Sequence, residues 1–169
     1  MSSGIARRLA LPTRKRRLYW DACCFISLFS SESTTPRLQL DALQTTFDEM
    51  LAGKVKIITS DAYRAEVFGK DGPEGQAIAE QFEACPHFEI VPLRTQAWDM
   101  AGEMRKRCQA ARPPRKLKLG DALHIVAGTI ARVDEIWTTD GKLVSYYEDG
   151  LLTSVVVCLP YLKQLKIEF

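Results

Sequence analysis

Five short runs rich in β-branched and aromatic residues recur along the chain: RLYW, VKIITS, FEIVPL, EIWTT and SVVVCLP. Segments with helical apolar spacing fill the gaps between them. This alternation is the feature that most constrains the fold. A parallel strand pair cannot be closed by a tight turn and needs a crossover, so a repeated strand–helix order implies βαβ units. The expected fold class is α/β, a three-layer α/β/α sandwich with a mostly parallel, doubly wound central sheet. At 169 residues without an internal repeat or a linker, the chain suits one domain over residues 17–169, preceded by a basic arm at 1–16.

Local signals set the expected element boundaries. ACCFISLF follows the first strand as an apolar helix or turn. Thr35 and Pro36 resemble an N-cap followed by proline at the first helical position, opening a helix that stops at Gly53. DAYRAEVFG is expected as a short helix capped by Ser60 or Asp61, with KDGPEG breaking the chain before a further helix, EGQAIAEQFEAC. RTQAWDMAGEMRKRCQAA is a helix with a basic last turn, as its dipole favours. Within it, Trp98, Met100, Ala101 and Met104 suit the core or a self-association surface. ARPPRKLK interrupts the pattern, and LGDALHIVAGTIAR and GKLVSYYEDG supply the later helices.

Composition narrows the setting. A formal charge of +2 with 46% hydrophobic residues marks neither a disordered tail nor a membrane protein. No apolar run approaches the roughly 20 residues that span a bilayer. The five cysteines are odd in number and form no CxxC pair, which argues against a disulfide framework or zinc knuckle and favours a reducing, cytoplasmic setting. Charge placement says more than the total. Arg7, Arg8, Arg14, Lys15, Arg16 and Arg17 crowd the start, and Arg112, Arg115, Lys116 and Lys118 flank Pro113 and Pro114. Both clusters suit an anionic partner, and the second suits RNA phosphates because it immediately precedes an acid-bearing helix.

Ligands of open parallel sheets bind beyond the carboxyl ends of the strands. Asp21 follows RLYW and Asp140 follows EIWTT, each just before an expected helix, while Glu66 and Asp121 lie within helices. Taken singly, Asp21 and Asp140 suit helix caps and Glu66 a solvated face. Asp121 is harder to place on a surface, since Leu119, Ala122, Leu123, Ile125 and Val126 surround it. Carboxylates gathered in a partly buried site repel unless a cation neutralises them, and oxygen donors suit Mg²⁺ or Mn²⁺. His124 shares a helix face with Asp121 and suits a cleft-lining or core histidine, with a softer metal as the other reading. The Cys23–Cys24 pair suits packing, because no arginine stands six positions on to form a phosphatase loop. A phosphotransferase built on a strand-end Asp needs a second Asp where this chain has Cys23, and a receiver domain needs an acidic pair that the chain lacks.

WDACCFISLF, TSDAYRAEV, LKLGDALHIVAG and EIWTTD, in this order over roughly residues 17 to 158, resemble the PIN-domain nucleases, especially the VapC-like ribonucleases of bacterial toxin–antitoxin pairs. The resemblance implies a PIN-like sandwich whose acidic site comprises Asp21, Glu66, Asp121 and Asp140, with Thr138 in the T-x-D turn. It implies that Asp21, Asp121 and Asp140 hold Mg²⁺ or Mn²⁺ for the hydrolysis of single-stranded or structured RNA, with Glu66 as ligand or water-orienting group. A small antitoxin and a homodimer are the implied partners. Ala22 and Cys23 stand where such proteins usually carry a small polar residue and then Asn or Ser. A catalytically weak PIN-like module that binds RNA or a protein is the alternative.

Overall fold

Strand β1 (Arg16–Trp20) has apolar side chains on both of its faces, the mark of a strand covered on both sides. The computed structural model describes residues 14–29 and 34–162. Most of the expected basic arm, including Arg7 and Arg8, falls outside the described residues, and Arg16 already belongs to β1. The chain continues through α1 (Ala22–Phe29), α2 (Arg37–Leu51), β2 (Val55–Ser60), α3 (Ala62–Glu83), β3 (Phe88–Val91) and α4 (Thr95–Ala110). It ends with α5 (Leu119–Ile130), β4 (Glu135–Trp137), α6 (Gly141–Glu148) and β5 (Val156–Cys158). All five strands are parallel, in the order β3-β2-β1-β4-β5, so β1 is central.

Period-two alternation divides the core. Tyr19 of β1 and Ile58 of β2 turn towards α4, α5 and α6, where Ala101, Met104, Ile125, Val126 and Leu143 are buried with them. Leu18, Trp20 and Ile57 turn the other way, towards Phe25, Leu43, Met50, Tyr63 and Phe82. Of the four residues expected in the core or at a self-association surface, Ala101 and Met104 are core, Met100 packs at its edge, and Trp98 is 48% exposed. Helix α5 lies close on the sheet. A β-carbon at Gly128 would come within 2.8 Å of Ile136 and 3.1 Å of the Tyr19 ring.

Three boundary expectations are corrected. KDGPEG does not break the chain: α3 runs unbroken from Ala62 to Glu83, through Gly69, Gly72, Pro73 and Gly75. Proline deprives the helix of one hydrogen bond, but Tyr63 and Val67 before this stretch and Ala79 and Phe82 after it are buried in the same cluster. Tertiary burial therefore outweighs local propensity. Nor does the Asp61 side chain cap α3. Its carboxylate accepts the backbone N–H of Leu93 (3.2 and 3.3 Å) instead, joining the exits of β2 and β3, and the Ser60 hydroxyl faces Tyr19. Pro36 occupies the cap position of α2, which begins at Arg37, and the Thr35 hydroxyl meets that of Ser27 at 2.7 Å.

Candidate active site

Asp21 is fixed by the backbone around it. Its N–H donates to Trp137 O (3.0 Å), extending the β1–β4 ladder by one step, and its carbonyl accepts the N–H of Cys24 (2.9 Å) as α1 begins. The side chain is thereby held at the carboxyl edge of the sheet, 5% exposed.

Thr138, the first residue after β4, joins two of the acids. Its hydroxyl donates to Asp21 Oδ2 (3.0 Å) and accepts the N–H of Asp140 (3.1 Å). Asp140 Oδ1 in turn accepts the Lys142 N–H (2.8 Å), capping α6. Because the Thr138 proton goes to Asp21, the Cys23 thiol, 3.3 Å from Thr138 Oγ1, is the donor of that pair, and its sulfur accepts the Thr139 N–H at 3.2 Å. Cys23 therefore supplies the polar support that the sequence places in question after Asp21. Cys24 is a packing residue whose thiol donates to Trp137 O (3.3 Å), and burial pushes its pKa well up, away from a nucleophile's.

Asp21 is met from the helix layers on both sides. Glu66 comes from α3 and His124 from α5, and one donor atom from each of the three lies within 4.8 Å of the others. The imidazole is 1% exposed, with Nε2 3.2 Å from Glu66 Oε1 and 3.7 Å from Asp21 Oδ1. Its Nδ1 is 2.8 Å from the Tyr19 hydroxyl, which donates its own proton to Ser60 Oγ (3.0 Å). Tyr19 must therefore accept from Nδ1–H, leaving Nε2 to face the carboxylates. In that position Nε2 either carries a second proton or offers its lone pair to a cation, the orientation a metal-binding histidine takes when its other nitrogen is hydrogen-bonded. Burial opposes a charge on this ring, but the Tyr19 oxygen, the Asp21 carboxylate and the bond to Glu66 outweigh it and raise the pKa well above the ordinary value. The first turn of α5 also makes room: a β-carbon at Gly120 would press on Glu66 Oε1 at 3.0 Å.

Asp121, in the first turn of α5, is half-buried, and its pKa is raised to about 6. Burial is the largest cause, followed by the charge of Asp21; Lys118 opposes the shift, and Asp140 and Glu66 add to it. The four expected acids thus share one electrostatic neighbourhood, but the tightest group is Asp21, Glu66 and His124, with Asp121 and Asp140 outside it. The histidine was visible as a residue on the Asp121 face, and the Tyr19–Ser60 bond that aims it was not. The donors fit a divalent cation, because adjacent carboxylates and an inward-facing imidazole nitrogen make a site that added positive charge relieves.

Of the four basic residues expected at RNA, Arg115 is tethered. It pairs with Asp149 at 2.7 Å and lies over the Tyr146 ring. Arg112, Lys116 and Lys118 are exposed. Arg105, Lys106, Arg115 and Lys116 line a groove of about 610 Å³ between α4 and the loop before α5. Among the described residues no helix is long and apolar enough to cross a membrane.

No family model matches the sequence, and a search of curated proteins finds no match. Solved structures do resemble it. VapBC2 from Rickettsia felis, bound to a promoter DNA fragment, superimposes with a TM-score of 0.60 at 14% identity, covering 85% of this chain and 98% of that one. Mycobacterium tuberculosis VapC20, a sarcin-ricin-loop-cleaving toxin, gives 0.57 at 13% over 76% and 93%. A toxin–antitoxin complex from Klebsiella pneumoniae gives 0.55 at 17% over 85% and 98%. At these identities the likeness is one of fold, and the protein has the PIN-like α/β/α fold of the VapC-type toxins.

Proposed function

We propose that the protein is a divalent-metal-dependent endoribonuclease, the toxin of a toxin–antitoxin pair. The observation that carries this reading is the meeting of Asp21, Glu66 and His124 within 4.8 Å at the carboxyl edge of a parallel sheet. The toxin–antitoxin complexes that share the fold support it, and an antitoxin is the protein partner this reading implies. That one of those toxins is described as cleaving the sarcin-ricin loop supports a nucleic-acid substrate, which we take to be RNA.

Asp21 and Glu66 would hold the ion with His124 in reach, and Asp121 and Asp140 would complete the acidic ring. A bound Mg²⁺ or Mn²⁺ supplies Lewis acidity, stabilising charge on the phosphoryl oxygens and easing deprotonation of water. Glu66, with its side chain 43% exposed, stands where water enters and is the group to orient that water and accept its proton. Attack on phosphorus breaks one P–O bond and leaves a phosphomonoester and a free hydroxyl. The chain Asp140 N–H to Thr138 to Asp21 holds the Asp21 carboxylate in one orientation, so no reorganisation is needed as charge develops. Lys118, whose charge acts on Asp121, and the exposed Arg112 and Lys116 of the same loop would contact substrate phosphates, with Arg115 shaping the loop.

The test is cleavage of an RNA panel by purified protein with Mn²⁺, with Mg²⁺ and with EDTA. Cleavage is expected only with an ion, and Asp21→Asn and Asp140→Asn should each lower the rate at least about a hundredfold. Cleavage in EDTA, or unchanged rates in both variants, would overturn the assignment.

A further inference from the structure

The acidic cleft occupies one end of the sheet, and the opposite end has the opposite charge. At the amino edge, Arg14 and Lys15 just before β1, Arg17 and Lys56 near the starts of β1 and β2, and Ala131 and Arg132 just after α5 enclose an open hollow of about 490 Å³. The sequence converges there by register, because Arg17 and Lys56 are paired neighbours on parallel strands, and α5 ends over the same face. Arg17 is committed to structure, its guanidinium donating to Ala131 O at 3.1 Å and its N–H to Asp134 at 2.7 Å. Arg14 reaches the Arg132 carbonyl at 3.4 Å and Asp134 at 3.5 Å, and Lys56 pairs with Glu89 at 2.5 Å. Among the described residues, Asp134 and Glu89 are the acids engaged by these five cations, which leaves positive charge in excess. Lys15 and Arg132 have no side-chain partner among the described residues. Arg132 has a positive φ (51°) because it closes the Schellman cap of α5, its N–H bonding Thr129 O (3.1 Å) and the Val133 N–H bonding Gly128 O (3.4 Å), and this turn sets Arg132 at the rim.

We propose that this hollow is a second RNA-binding site, one that holds backbone phosphates of the substrate remote from the scissile bond. The inference rests on the ribonuclease reading for its choice of RNA. Its lining argues for phosphates over a protein partner. The only apolar residue in it is Ala131, whereas protein interfaces are anchored by buried aromatic or aliphatic side chains. Charge without such anchors is the pattern of sequence-independent phosphate binding. Its distance from the cleft then sets the kind of RNA. The five residues of β1 separate the two ends, about 16 Å at roughly 3.3 Å per residue. A fragment of a few nucleotides lying in the cleft does not reach the hollow, whereas a longer, folded RNA passing over the molecule does. The site therefore selects substrates by size and shape and leaves the chemistry unchanged.

The experiment compares wild type with Lys15→Glu/Arg132→Glu and with the milder Lys15→Gln/Arg132→Gln, each checked for an unaltered melting temperature. Binding of a structured RNA of about forty nucleotides and of a trinucleotide is followed by fluorescence anisotropy in EDTA over a salt series, and cleavage of both is measured with Mn²⁺. The double reversal should weaken binding of the long RNA about tenfold and lower its salt slope by at least about one, the Gln pair by less, since each phosphate contact contributes roughly 0.7 to the slope for single strands. Trinucleotide binding and cleavage should be unchanged. Equal affinity of all three proteins for the long RNA, or equal losses on both substrates, would overturn the proposal. Long-RNA binding that depends on Lys15 and Arg132, in a protein that cleaves nothing with any divalent ion, would support the second site while removing the ribonuclease assignment.

Discussion

Asp121 links the electrostatics of the cleft to a measurable stability. Its carboxyl is half-buried among like charges, and its pKa of about 6 lies above the ordinary 3.8. A raised carboxyl favours folding in its protonated form, so this contribution is complete below pH ~4 and disappears as pH rises through about 6. Without a metal ion, the charged group then costs stability that an uncharged amide of the same shape does not. Asp121→Asn should therefore match wild type near pH 4 and melt higher above pH 7 in EDTA. Solvent contact reduces the full shift, leaving about 1 kcal/mol or some 2–4 °C in a domain of this size. Differential scanning fluorimetry across this pH range checks the sign, and a variant less stable than wild type at pH 8 would show that Asp121 is not strained by its neighbours. Cys23 and His124 make the complementary point about legibility. Cys23 looks like an apolar substitute in the sequence, yet it donates to Thr138 and accepts from Thr139. Its role depends on a turn 116 residues away that no local pattern announces.

Helices α3 and α5 show what an element's sequence discloses and what it withholds. The LGDALHIVAG periodicity is strong enough to place α5 and its acid in advance, because every residue from Ala122 to Gly128 is buried and the pattern has a single solution. In α3, Gly69, Gly72, Pro73 and Gly75 signal a break, and the burial of Phe82 and Ala79 beyond them decides the outcome. Burial against a distant sheet is not a local property, so the short-range signal misleads there. The parallel sheet was legible because it depends on local pattern and the strand–helix alternation, and the seats of Asp21 and Asp140 just past β1 and β4 follow from the same pattern, whereas the order of the strands in the sheet did not. The tether on Arg115 was not legible either, since it depends on Asp149 and Tyr146. The close seat of α5 gives a quantitative test. In Gly128→Ala the added methyl meets Ile136 at 2.8 Å and Tyr19 at 3.1 Å, and Tyr19 is held by its hydrogen bonds to Ser60 and His124. Overpacking of about 1–3 kcal/mol exceeds the gain in helix propensity of at most about 1 kcal/mol. Melting should fall by several degrees. Gly102→Ala in α4, where nothing lies within 4 Å, should leave it unchanged or raised. Equal melting of the two variants would mean that α5 can lift from the sheet at no cost.

At the scale of the whole molecule, the cleft draws one group from the β1–α1 junction, one from α3 and one from α5, so it joins the helix layers on the two faces of the sheet. A cation bound there bridges elements that separate on unfolding, and an ion that binds only the native state stabilises it by mass action, about 2.7 kcal/mol at a hundred times its dissociation constant. For a domain of this length that corresponds to a rise in melting temperature of roughly 5–11 °C. The rise should saturate with Mn²⁺, reverse with EDTA and vanish in Asp21→Asn, which removes one charge from the tight group. It should persist in Lys15→Glu/Arg132→Glu, because those residues lie at the other end of β1. A titration followed by melting temperature separates these outcomes without reference to catalysis. If Asp21→Asn shows the full Mn²⁺-dependent rise, the ion is bound elsewhere and the buried acids of the cleft must be neutralised by His124 instead.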